Sequence, residues 1–335
     1  MRRYNAPVLT KIERNNPAGA LSPSKLCGVL LPITTPFHSD GSLDLDGLCY
    51  NLRRWNEMDI AGFVVLGSTG ERVHLDESES LRVITRAREE LSGEKVFIAG
   101  VGQQSTRGTV NEIKRVAAAA TVDAFLVITP HFYRSAITQK ALVDHYKEVA
   151  NESPVPLILY SMPALTGIQI EPTTAARLSE HENIVGIKDS SADVEGLRET
   201  IKLVRKDFAV LTGNGTVLCE AFSAGACGGI LAVGCVVPAL CLAIFDAMKS
   251  GDIDRANVLQ ARLSPLAGAV TTRFGIGGLK AAMELKGFSG GAVRAPLRTP
   301  TDHARAEIRR NLEQAEKALQ ELSTNRAEAP RRYTN

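Results

Sequence analysis

Three short stretches carry side chains that can act together on a carbonyl compound. Lys188 closes the apolar run Ile184-Val185-Gly186-Ile187. Desolvation at the inner end of a buried strand favours a neutral amine, the form a nucleophile needs. The competing reading is a lysine that snorkels outward or pairs with Asp189. Tyr160 closes Leu157-Ile158-Leu159. A phenol there moves protons or orients a substrate hydroxyl, unless it is a core tyrosine with one satisfied hydroxyl. Gly67-Ser68-Thr69-Gly70-Glu71 follows Val64-Val65-Leu66. Its glycines permit a tight turn, and successive N–H groups with two hydroxyls make an anion cradle. Alone this is an ordinary loop motif. An amine, a phenol and a cradle at one place describe a site for a 2-oxo acid. The amine attacks the ketone, the cradle holds the carboxylate, and the iminium draws electrons from the neighbouring C–C bond. The covalent imine serves in place of a cofactor.

These groups must be brought together by the elements that carry them. Eight apolar runs recur, over residues 28–33, 62–66, 96–101, 124–128, 157–160, 184–188, 208–211 and 229–233. Continuous runs of this length suit parallel strands covered on both faces. Helical patterns alternate with them over 45–58, 77–91, 109–120, 138–150, 172–178, 194–204, 217–224 and 239–249. The alternation predicts an α/β fold, a TIM (β/α)8 barrel, over residues 27–250. Three further helical stretches, 253–263, 272–286 and 302–322, predict a C-terminal extension within 251–323, followed by a tail, 324–335. A doubly wound sheet competes. Its glycine fingerprint is absent after the first run, where Ile33-Thr34-Thr35-Pro36-Phe37 stands. In a barrel, active groups lie at the C-terminal ends of strands, which is where Lys188, Tyr160 and Ser68-Thr69 fall.

Composition removes other classes. The 335 residues carry 39 Lys+Arg against 37 Asp+Glu, and only 5% are aromatic. Neither nucleic acid nor an anionic membrane is an expected partner. The uncharged stretch Ala221–Phe245 is long enough to span a bilayer, but Gly225, Gly228, Gly229, Gly234 and Pro238 break it into strand, turn and helix. The six histidines and six cysteines show no metal-ligand spacing, so no metal site is expected. Unpaired cysteines in apolar runs suit a reducing compartment, the cytoplasm. Residues 1–26 form a basic arm without an apolar signal core. A mitochondrial transit peptide is the alternative reading of that arm.

The same residues resemble the pyruvate-dependent class I aldolases related to dihydrodipicolinate synthase and N-acetylneuraminate lyase. The markers are Thr35-Pro36-Phe37, Gly67-Ser68-Thr69-Gly70-Glu71, Tyr160 with Pro163 and Thr166-Gly167, Gly186-Ile187-Lys188, and Arg294-Ala295-Pro296-Leu297. They span Cys27 to Leu297. The resemblance implies a TIM barrel with added helices, assembled as a homotetramer, a dimer of dimers. It implies that Lys188 forms the Schiff base, that Tyr160 is the general acid/base, and that Ser68 and Thr69 hold the pyruvate carboxylate. Gly213 and the carbonyl of Ile230 match positions lining the pocket. Tyr160-Ser161-Met162-Pro163, Lys188-Asp189-Ser190 and Thr272-Arg273-Phe274-Gly275-Ile276 with Gly278-Leu279-Lys280 look most like 4-hydroxy-2-oxoglutarate aldolase, which yields pyruvate and glyoxylate. Ser190 would then contact the distal part of the substrate. Dihydrodipicolinate synthase and 2-keto-3-deoxy sugar-acid aldolase are the alternatives.

Two departures stand out. The synthases carry an arginine where this chain has Leu165, which removes a bidentate carboxylate donor. Family members often place a neighbouring subunit's tyrosine at the position of Phe132, and a phenylalanine relays no proton. Tyr133, next in sequence, is the candidate substitute relay, although adjacent residues point differently; otherwise the relay is rebuilt through Ser68 or Thr69 and water, or turnover is slow. The reading from another class is a barrel that binds a 2-oxo acid without catalysis.

Overall fold

The computed structural model describes residues 21–91 and 93–328. Eight parallel strands close into a barrel in sequence order: β1 (Val29–Pro32), β2 (Gly62–Val65), β3 (Val96–Val101), β4 (Ala124–Ile128), β5 (Leu157–Ser161), β6 (Ile184–Asp189), β7 (Ala209–Thr212) and β8 (Gly228–Ile230). This is a TIM barrel.

Apolar runs become two-faced strands because side chains alternate with a period of two. Leu30, Val64, Ile98, Leu126, Ile158 and Ile230 point inward and pack the barrel interior. Their neighbours Val29, Phe63, Phe97, Phe125 and Leu157 pack outward against the helices. One irregularity matters for the site. Leu157 pairs with Ile184, but Ile158 pairs with Gly186, so Val185 is an extra residue in β6. Ile184 and Ile187 therefore both face outward, although they are three positions apart and an unbroken alternation would put them on opposite faces. Without the bulge, an outward Ile184 would put Lys188 outward as well. With it, Lys188 pairs with Tyr160 and both side chains enter the barrel.

The helices are α1 (Leu45–Asn56), α2 (Glu77–Glu90), α3 (Thr106–Ala119), α4 (Gln139–Glu152), the single turn α5 (Pro163–Thr166), α6 (Pro172–Ser179), α7 (Val194–Leu203), α8 (Leu218–Ala224) and α9 (Pro238–Ser250). Three more, α10 (Ile253–Gly268), α11 (Gly275–Leu285) and α12 (Asp302–Glu328), form the extension. Local chemistry sets many of the starts. Asp44, Ser105, Thr138 and Asp193 accept from backbone N–H groups in the first turn, and Asp76 with Glu79 closes a capping box.

Several expected boundaries move. The last strand ends at Ile230, and residues 232–235 turn instead into a 3-10 helix. The helix expected from Thr272 begins at Gly275, because residues 269–273 form a π-turn. The third helix starts at Thr106, where Ser105 caps it. The arm expected over 1–26 lies outside the described residues as far as residue 20. Beyond that point Leu21 and Leu26 are buried against the barrel interior, and Pro23–Leu26 forms a 3-10 turn. Apolar burial, not charge, decides that segment. The last helix continues to Glu328, past the expected boundary at 323, and 329–335 lie outside the described residues. No helix among the described residues is long and apolar enough to cross a membrane.

Candidate active site

Lys188 and Tyr160 are register partners at the C-terminal ends of β6 and β5. Both are buried, at 5% and 4% exposure. Lys188 Nζ lies 4.3 Å from the centroid of the Tyr160 ring. Among the described residues it makes no ion pair or hydrogen bond. The lysine therefore neither snorkels nor pairs with Asp189. Asp189 Oδ1 instead accepts from the Ser191 backbone and hydroxyl, at 2.7 and 2.5 Å, while burial pushes its carboxyl above the usual range. A buried lysine without a carboxylate partner leaves its nitrogen uncommitted and open to a ligand.

Ser68 Oγ and Tyr160 Oη share a hydrogen bond of 3.3 Å. This contact joins the loop after β2 to the end of β5. Ser68–Gly70 is a 3-10 turn that starts from an extended Gly67 and ends at Glu71, whose φ is +53°. Thr69 is buried in that turn. A turn of this kind gathers backbone N–H groups beside the Ser68 and Thr69 hydroxyls, as a carboxylate site requires.

Gly213 stands where a side chain cannot. A Cβ there would fall on Ser190 Oγ and lie 2.8 Å from Lys188 Cε. Ser190, Gly213 and Lys188 are thus adjacent. Ile230 is buried in the same interior cluster as Tyr160. A cavity of about 650 Å³ opens beside Ser68 and Tyr160, with Leu165 and Thr166 on its wall, and runs outward past Arg72. Phe132 and Tyr133 do not join this group. They are 73% and 70% exposed, lie edge to face at 5.1 Å, and do not border the cavity. Neither can relay a proton to Lys188 within one chain.

The sequence reading missed a second layer. Glu71 is 2% exposed and Lys280, from α11, is 1% exposed, and they form an ion pair of 2.5 Å. Thr35 Oγ1 donates to the Gly70 carbonyl at 2.8 Å, and the Thr35 carbonyl accepts from Lys280 Nζ at 2.8 Å. Glu71 was visible only as the last residue of a loop motif. Lys280 was visible only within the Gly278-Leu279-Lys280 segment of the resemblance, with no role attached to it.

The comparisons with known proteins follow this geometry. Residues 25–315 match the model of the dihydrodipicolinate synthetase family. The chain belongs to that family. A 4-hydroxy-tetrahydrodipicolinate synthase of Methanothrix thermoacetophila is 35% identical over 283 residues, 84% of this chain and 94% of the relative. A second protein of that name, 4-hydroxy-tetrahydrodipicolinate synthase 1 of Streptomyces coelicolor, is 37% identical over 81% of this chain and 88% of its own. The crystal structure of dihydrodipicolinate synthase from Thermotoga maritima superposes with a TM-score of 0.81 at 30% identity, covering 87% of this chain and 98% of that one. Family members are carbon–carbon lyases or synthases of the class I aldolase type, and this chain is an enzyme of that kind. The expected closeness to 4-hydroxy-2-oxoglutarate aldolase has no support among these relatives, which carry the synthase name.

Proposed function

We propose that the enzyme joins pyruvate to an aldehyde, or releases pyruvate from the adduct, through an imine on Lys188 and without another cofactor. One observation carries this reading: a buried, unpaired Lys188 faces Tyr160, which is bonded to Ser68 of the carboxylate loop. Lys188 Nζ attacks the pyruvate ketone and water leaves, forming the imine. Ser68 and Thr69 hold the carboxylate. Loss of a methyl proton gives the enamine, which attacks the aldehyde carbon. Tyr160 delivers a proton to the new alkoxide, and in the reverse direction takes it back as the bond breaks. Water then releases the product and restores the amine.

The relatives' names favour 4-hydroxy-tetrahydrodipicolinate synthase for the aldehyde partner, over the 4-hydroxy-2-oxoglutarate reading. Leu165 favours the second reading. It is 62% exposed on the cavity wall, where the synthases resembled here carry an arginine. A guanidinium is close to that turn nevertheless: a Cβ on Gly167 would lie 2.8 Å from Arg134 Nη1. On the synthase reading Arg134, beside the turn though not on the cavity wall, would be the guanidinium available to an aldehyde bearing its own carboxylate. The six free cysteines suit a reducing, cytoplasmic setting, and the family resemblance supports a homotetramer.

Borohydride reduction with pyruvate, followed by peptide mass mapping, tests the chemistry. A reduced adduct on Lys188 is expected, and a folded protein without one refutes the reading in favour of a binding barrel. Product analysis with a panel of aldehydes, alongside a cleavage assay on 4-hydroxy-2-oxoglutarate, separates the partners.

A further inference from the structure

We propose that Lys280 and Glu71 act as a positioning pair that sets the pyruvate-carboxylate loop, so that α11, outside the barrel, determines affinity for the 2-oxo acid. The inference rests on the Schiff-base reading above.

The argument begins with conformation. Glu71 is a non-glycine residue at φ +53°, a backbone region that costs free energy and persists only where surrounding contacts enforce it. The enforcing contacts are present. Glu71 Oε2 accepts from the Arg294 backbone N–H at 3.1 Å and lies 3.1 Å from His74 Nδ1. Oε1 meets Lys280 Nζ at 2.5 Å and has no hydrogen-bond partner besides that ammonium among the described residues. The same ammonium donates to the carbonyls of Thr35, at 2.8 Å, and Ala292, at 2.6 Å. It also lies 4.5 Å from the centroid of the Phe37 ring. Thr35 carries the restraint onward, because its hydroxyl donates to the Gly70 carbonyl.

The C-terminal end of the turn is therefore tied twice to one ammonium: Glu71 directly, and Gly70 through Thr35. Ser68 and Thr69 lie immediately before. A buried ion pair is seldom a net source of stability, since desolvating two charges offsets their attraction. Its use here is geometric. It holds a strained turn in the one arrangement that points Ser68 Oγ at Tyr160 and presents the turn's N–H groups to a carboxylate. Lys280 does not line the cavity beside Ser68 and Tyr160, and Glu71, which does, commits its carboxylate to Lys280, His74 and the Arg294 N–H, so the pair acts through the loop.

The test uses the full chain with both charges removed, Glu71→Gln/Lys280→Met. Circular dichroism checks that it folds. Pyruvate is titrated under borohydride trapping, and steady-state rates are measured with the accepted aldehyde. The half-saturating pyruvate concentration is expected to rise at least about tenfold, with saturating turnover within about threefold of wild type and the aldehyde KM unchanged. Glu71→Gln alone, which retains shape and Lys280, is expected to shift the same way by a smaller factor. A purely structural pair would lower the melting temperature and leave half-saturation by pyruvate unaltered. That result, with wild type still forming the Lys188 adduct, overturns the inference alone. A wild-type chain that forms no adduct overturns the Schiff-base reading, and this inference falls with it.

Discussion

Two buried lysines divide this molecule into a reactive region and a restraining one. Lys188, at the barrel mouth, is 5% exposed and faces only an aromatic ring. Lys280, where α11 meets the loops after β1 and β2, is 1% exposed, donates to two carbonyls and pairs with the Glu71 carboxylate. Burial is nearly the same, so burial does not assign the roles. Partners do. A saturated ammonium has nothing left to give a substrate, and removing it orphans three oxygens. A lysine with no oxygen partner has its nitrogen uncommitted, so as the amine it can attack a ketone.

The largest test of that contrast is Lys188→Ala. It is expected to lower turnover at least about 10³-fold, measured in steady state with pyruvate and the accepted aldehyde. Appreciable turnover by the variant would break the contrast at its centre. Tyr160→Phe keeps the ring that faces Lys188 and removes only the hydroxyl. Turnover is expected to fall about 10²- to 10⁴-fold while the borohydride-trapped pyruvate adduct still forms.

Stability should sort the lysines in the opposite order. Lys280→Met is expected to cost about 3–5 kcal/mol in denaturant unfolding, because Glu71 is left charged and buried. Lys188→Met orphans no oxygen and is expected to leave stability unchanged or raise it by up to about 2 kcal/mol. Equal losses for both would erase the distinction.

A third buried base sharpens the comparison by a smaller amount. His145, on α4, bonds the Thr106 hydroxyl at 2.9 Å, and burial pulls its pKa down from 6.5 to about 4. The unfolded chain therefore takes the proton first. The associated stability is full above pH 6.5 and is lost as pH falls toward about 4, then levels off. The loss reaches roughly 3 kcal/mol. Chemical denaturation across that window should show the slope, and His145→Gln should remove it.

Much of the architecture was legible in the residues. Eight apolar runs, each followed by a helical pattern, demand a sheet covered on both faces, and the barrel closes in that order. The loop 67–71, Tyr160 and Lys188 sit at run ends, so their convergence followed from the fold rule. The resemblance implied a position for Gly213 near Lys188, but not its closeness to Ser190. Phe132 and Tyr133 were visible as a departure, but their outward orientation was not, since adjacent residues in a loop follow no fixed alternation.

Sequence by itself determined the strand count, the helical partners and the kinds of reactive group, because hydrophobic periodicity and residue chemistry are local properties. Tertiary structure alone decided which face Lys188 takes. In Ile184-Val185-Gly186-Ile187-Lys188 every residue before the lysine can be buried on either side, and only pairing with β5 inserts the bulge that turns the amine inward. It alone joined Glu71 to Lys280, which are far apart in the chain and bear no mutual signal. A counter-ion is a property of position in space, and it separates the lysine that reacts from the lysine that holds.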